Sequence, residues 1–145
     1  MKIFIDVNVF IDVMTRRSGW TESLRVLNLA RKSQEIESYT SALTLPLLYF
    51  FRRRVVDEAT ARADAQAILK GLHLVALSQM ILDHSLASAG RDFEDNIQLA
   101  SAESISANHL ITRNKKDFGP SNITVLTPEE WLGLQEVAAL EAKLT

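Results

Sequence analysis

A chain of 145 residues, 47% hydrophobic and 23% charged, is long enough for one domain with a full core and shows no bias toward disorder. Its formal charge of −2 supplies no global basic field, so a nucleic-acid partner would need local arginines or metal ions to offset its phosphates. The absence of cysteine excludes disulfides and thiolate metal sites and fits a reducing cytoplasm.

The chain opens on a short β-branched and aromatic strand, Ile3 to Ile5, with Asp6 and Asn8 where that strand should end. Asp6 also interrupts the apolar run that a secretory leader would need, so none is expected. Val9, Phe10, Val13 and Met14 fall at helical spacing and predict a short helix, with Asp12 on its exposed side. Arg16 to Gly19 form a break, after which Thr21 or Ser23 is placed to cap a helix carrying Leu24, Leu27 and Leu29. Ile36 to Thr40 reads as the second strand. From Ser41 or Thr44 an unusually apolar helix runs through Phe51, with Pro46 tolerable in its first turn, and ends in Arg52, Arg53 and Arg54. This longest apolar run is too short to cross a membrane, and no membrane partner is expected.

Asp57 is placed to cap a helix to about Lys70, with Gly71 closing it, and Leu72 to Leu77 gives a third strand. Ser78 opens a helix through about Ala89, closed by Gly90, and another helix runs from Asp92 to about Ala107. His109 to Thr112 is a fourth strand, Arg113 to Asp117 a polar turn, and Ile123 to Leu126 a fifth strand. Thr127, Pro128 and Glu130 then spell a capping box. Strands alternating with one or two helices argue a parallel sheet covered on both faces, in one domain spanning 1–145.

Three acidic places sit at element boundaries: Asp6, the group Asp92, Glu94 and Asp95, and Asp117. In an open parallel sheet they can all lie outside the carboxyl ends of neighbouring strands, where ligands bind. Carboxylates brought together repel, and a hard cation such as Mg2+ resolves the conflict with oxygen ligands. Each also has a plainer role. Asp92 and Asp95 suit a helix start, and Asn114 and Asp117 suit a turn. Arg52 to Arg54 suit a solvated helix end more often than a phosphate patch, and Trp20 and Trp131 suit helix anchors. The histidines at 73, 84 and 109 show no ligand spacing.

In order along the chain, the stretches Ile5-Asp6-Val7-Asn8, Asp92-Phe93-Glu94-Asp95-Asn96 and Leu110-Ile111-Thr112-Arg113-Asn114-Lys115-Lys116-Asp117-Phe118 resemble a PIN domain. The resemblance is to the kind found in the toxin half of bacterial VapBC toxin–antitoxin pairs, and it extends to about Leu132. It implies a three-layer α/β/α fold with a central parallel sheet, and Mg2+- or Mn2+-dependent hydrolysis of RNA by metal-activated water. By position it makes Asp6, Asp95 and Asp117 the metal-site acids, with Asp92 and Glu94 close enough to contribute. Asn8, Thr112 and Asn114 would orient ligands or water. It further implies a small antitoxin partner, a homodimer and a cytoplasmic location; the apolar helix from Leu43 to Phe51 is the stretch expected to meet a second chain.

One position departs from the family pattern. Where a Glu is usual in the helix after the second strand, this chain has Leu47, and no acid occurs from Tyr39 to Val56. One carboxylate fewer lowers the charge available to a cation. The alternative reading is therefore a catalytically weak or inactive PIN-like module that binds RNA or a partner.

Overall fold

The computed structural model describes residues 1–89 and 92–145. Its strands are β1 (Lys2–Ile5), β2 (Glu37–Ser41), β3 (His73–Val75), β4 (His109–Ile111) and β5 (Thr124–Leu126). The helices are α1 (Val7–Thr15), α2 (Trp20–Lys32), α3 (Thr44–Arg53), α4 (Glu58–Ile68), α5 (Gln79–Ala87), α6 (Phe93–Ser104) and α7 (Pro128–Leu144). A 3-10 turn, Lys115–Asp117, follows β4.

The five strands form one parallel sheet in the order β3-β2-β1-β4-β5. The chain winds outward from β1 to β3, then crosses back to place β4 on the other side of β1. That reversal, between β1 and β4, is where a doubly wound sheet opens a crevice.

Alternation along the strands sorts the core into two layers, because successive side chains point to opposite faces. Ile3, Ile5, Ile111 and Leu126 face a layer made by α1 to α4 and α7, with Phe10, Leu27, Leu48 and Trp131 buried there. Phe4 and Leu110 face the other layer, where Ile81 of α5 and Ile97, Leu99 and Ala100 of α6 cover the sheet. Both faces are thus buried, which explains why β1 and β4 read as continuous apolar runs. The architecture is three-layer α/β/α.

Local chemistry sets the helix starts. Asp57, Ser78 and Asp92 each accept the backbone N–H of the third residue into their helix, and Thr127 with Glu130 closes a reciprocal capping box. The second helix departs from expectation. It begins at Trp20 with Gly19 as N-cap at φ 86, and neither Thr21 nor Ser23 caps it. Thr21 instead donates to Glu22, and Ser23 is fully buried. The third strand is shorter than its apolar run, since Leu72 packs beneath the core layer before pairing begins. The sixth helix stops at Ser104, where Ser106 turns the chain at φ 54. Gly90, expected to close the fifth helix, lies outside the described residues.

An acidic cleft at the sheet's switch point as candidate active site

Asp6 stands between the end of β1 and the start of α1, at the crevice. Its backbone N–H continues the sheet ladder to the Ile111 carbonyl at 2.9 Å, and its Oδ1 caps α1 by accepting from Val7 N–H at 2.7 Å. Its other oxygen, Oδ2, accepts from the Thr112 hydroxyl at 2.7 Å. The carboxylate is only 1% exposed. Burial pushes it up to about 7; the Thr112 and Val7 donors pull downward, and Asp95 and Glu94 push further up.

Thr112 has one proton and gives it to Asp6, so its oxygen is an acceptor toward everything else. It accepts from the Asn114 backbone N–H at 3.1 Å and from Asn8 Nδ2 at 3.3 Å. That assigns the Asn8 amide, whose Oδ1 then accepts from the Arg113 backbone N–H at 3.1 Å. Asp6, Asn8, Thr112 and Asn114 are therefore one hydrogen-bonded unit joining the ends of β1 and β4.

The remaining acids come from α6 and the 3-10 turn. Asp6, Asn8, Asp92, Glu94, Asp95, Asn114 and Asp117 line a single cleft of about 440 Å³. Burial, followed by Asp92, Glu94 and Asp117, raises Asp95 to about 6. Glu94 is raised as well, first by burial and then by Asp92. The acids and amides expected to form the site line this one cleft, and the buried Thr112 joins them through its bonds to Asp6, Asn8 and Asn114. Among the described residues, no three carboxylates or histidines draw close enough to enclose one ion by themselves.

The donor set fits a hard divalent cation. Every polar group lining the cleft is a carboxylate or amide, and none of the described lining residues is basic. Mg2+ is commonly held by one or two carboxylates with water and substrate phosphate completing its shell. Asp6 and Asp95 are raised first by burial and then by neighbouring acids, and a bound cation would offset both costs.

Three residues depart from their expected places. Asp12 is not on the helix surface: it is 5% exposed, and Arg113 Nε approaches its Oδ2 at 3.1 Å. Arg113 was legible only as a turn residue, yet its guanidinium also meets Glu129 and the Ser18 carbonyl. It lies against Gly19, where a Cβ would collide with it. A basic residue beside the strand-end Thr, with an acid one helical turn after Asn8, was the available signal. Leu47 does not line the cleft; it packs half-buried on the core layer alongside Ile11, which does.

The comparisons agree with the fold. The family model described as PIN domain matches residues 2–116. No curated protein matches the chain significantly. Among solved structures, the VapBC-1 complex of nontypeable Haemophilus influenzae superposes with a TM-score of 0.67 at 17% identity, covering 89% of this chain and 99% of that one. A toxin–antitoxin complex from Klebsiella pneumoniae gives 0.64 at 23% identity, covering 87% and 97%. The Mycobacterium tuberculosis toxin VapC20, described as cleaving the sarcin-ricin loop, gives 0.58 at 14% identity, covering 74% and 86%. At these identities the neighbours carry the fold, and the family model carries the membership. The chain belongs to the PIN domain family.

Proposed function

We propose that this protein is a divalent-metal-dependent endoribonuclease of the VapC toxin type. One observation carries the reading: Asp6, Asp92, Glu94, Asp95 and Asp117 share one cleft at the β1–β4 crevice. Asp6, Asp95 and Asp117 would supply oxygen ligands to Mg2+ or Mn2+, with water and substrate phosphate completing the shell and Asp92 and Glu94 close enough to contribute. When bound, such an ion activates water at neutral pH and offsets charge developing on the phosphoryl group. Thr112 fixes the Asp6 carboxylate, and Asn8 and Asn114 hold the loop at the cleft mouth. A small antitoxin covering the cleft, self-association and a cytoplasmic location belong to the same proposal. No helix of the described chain is long and apolar enough to cross a membrane. Leu45 and Phe50 of α3 are exposed beside an apolar groove against α4, which supports the expected second-chain contact.

The test is cleavage of RNA in Mn2+, with Asp6→Asn and Asp95→Asn as controls. Cleavage that needs the ion and fails in both variants is the expected result. Activity surviving EDTA or both substitutions sinks the assignment.

A second reading is favoured by Leu47, which packs on the core where the family usually has an acid. It makes the protein a weak or inactive PIN-like binding module. Tight Mn2+ binding by calorimetry together with RNA cleavage would exclude it.

A further inference from the structure

Three arginines outside the acidic cleft, Arg16, Arg17 and Arg54, are gathered into one surface. The turn joining α1 to α2 supplies Arg16 and Arg17, and the end of α3 supplies Arg54. Arg16 lies over the Trp20 ring at 5.3 Å, while Arg17 and Arg54 both lie over Phe51, at 5.5 and 5.8 Å. Two segments more than thirty residues apart thus share one aromatic seat for their cations. All three arginines are exposed, and none is in a salt bridge among the described residues. Arg17 feels Asp12, but that acid is already engaged by Arg113. Arg52, by contrast, is paired with Asp64 and turned away from this role.

Arg16 adds a second observation. It closes α1 in the left-handed region at φ 51, a place that favours Gly or Asn because a Cβ is strained there. A long cationic side chain held at that position, with its guanidinium on an indole, is placed at a conformational cost.

The surface is joined to the cleft. Helix α1 is capped by Asp6 at its start and by Arg16 at its end, about 15 Å away at the helical rise of 1.5 Å per residue. Arg113 ties the same turn to the cleft loop: its side chain reaches Ser18, and its backbone N–H binds Asn8. A chain with net charge −2 needs such a local patch to hold a polyanion near five carboxylates.

We propose that Arg16, Arg17 and Arg54 bind the phosphates of single-stranded RNA two or three nucleotides from the acidic cleft. Trp20 and Phe51 pre-set the guanidinium groups, which lowers the ordering cost of binding. The inference rests on the nuclease reading for the identity of the polymer, not for the surface itself.

The experiment measures anisotropy of a fluorescein-labelled mixed-sequence 12-nucleotide RNA with the full chain in EDTA, where no cleavage is expected. The Arg16→Gln/Arg17→Gln/Arg54→Gln triple variant should bind at least about tenfold more weakly at moderate salt, with the slope of log affinity against log salt shallower by about 2. A triple Arg62→Gln/Lys70→Gln/Lys143→Gln variant reaches the same net charge and should bind like wild type. Trp131 is fully buried, so RNA should change the emission of half-exposed Trp20, and Trp20→Phe should abolish that change. Equal loss in the two triple variants, a silent Trp20, or binding to anionic phospholipid vesicles in place of RNA overturns the inference. The two readings separate cleanly. RNA bound at this surface without Mn2+-dependent cleavage leaves the inference standing and removes the nuclease. Cleavage with unaltered binding by the arginine variant does the reverse.

Discussion

The Thr112 hydroxyl and the Asp6 carboxylate, 2.7 Å apart, couple the carboxyl ends of the two paired strands at which the cleft opens. Because the hydroxyl's one proton goes to Asp6, the same oxygen must accept from Asn114 and Asn8. Thr112→Val keeps the volume and removes all three bonds. A buried acid then loses a donor, and two amide groups lose their acceptor, so a cost of about 1–3 kcal/mol in urea unfolding is expected. The same change should move Asp6 further upward, since Thr112 is what most pulls it down. Unchanged stability would mean that the cluster is not the unit described.

Asp6 should also make the metal-free protein less stable as pH rises. Burial lifts its folded value from 3.8 to about 7, so the folded state binds more protons than the unfolded chain across that interval. Its contribution is most favourable below the unfolded value, declines as pH rises, and levels off above about 7. The integral is on the order of 4 kcal/mol at about 1.4 kcal/mol per unit. Asp95 acts in the same direction. Chemical denaturation in EDTA from about pH 5 to about pH 8 should therefore show Asp6→Asn gaining on wild type as pH rises. A difference that stays flat would remove the frustrated carboxyl from the account.

The fold was legible because binary patterning and capping agree along the chain. The apolar runs of β1 and β4 mark a sheet buried on both faces, and Asp57, Ser78, Asp92 and Thr127 cap the helices expected of them. The acidic cleft was legible as three acidic boundaries, since a parallel sheet brings strand ends to one edge. Asp12 and Arg113 were not. Helical periodicity placed Asp12 outward, but the α2 turn folds over that face, and only tertiary contact shows the pair. The gathering of Arg16, Arg17 and Arg54 is equally invisible in sequence, because Phe51 joins segments that no local pattern links.

The Asp12–Arg113 pair should be asymmetric toward mutation. Asp12 is 8% exposed at its side chain and burial raises it, whereas Arg113 is 24% exposed and has Glu129 as a second partner. Removing the arginine strands a buried acid, and removing the acid leaves a cation still paired. Arg113→Ala should cost about 3 kcal/mol and Asp12→Asn clearly less, about 1 kcal/mol. Adding Asp12→Asn to Arg113→Ala should recover part of the loss in thermal or urea melts. Strict additivity of the two would show that they do not interact.

Leu47→Glu tests what the departure from the family pattern does to the site. Leu47 is half-buried on the core layer against which Ile11, a cleft-lining residue, also packs, so the variant asks whether a carboxylate at this position reaches the acidic group. Without metal the variant loses apolar packing and brings a sixth carboxylate toward a repelling set of five. A loss of about 1–3 kcal/mol is expected in EDTA. With Mn2+ the added oxygen ligand should tighten binding and narrow that gap, because a ligand that binds only the folded state stabilises it by mass action. Calorimetric Mn2+ affinity and melting temperature, with and without the ion, read both arms. If affinity is unchanged while stability falls, the position lies outside the reach of the ion, and Leu47 is a core residue whose identity says nothing about catalysis.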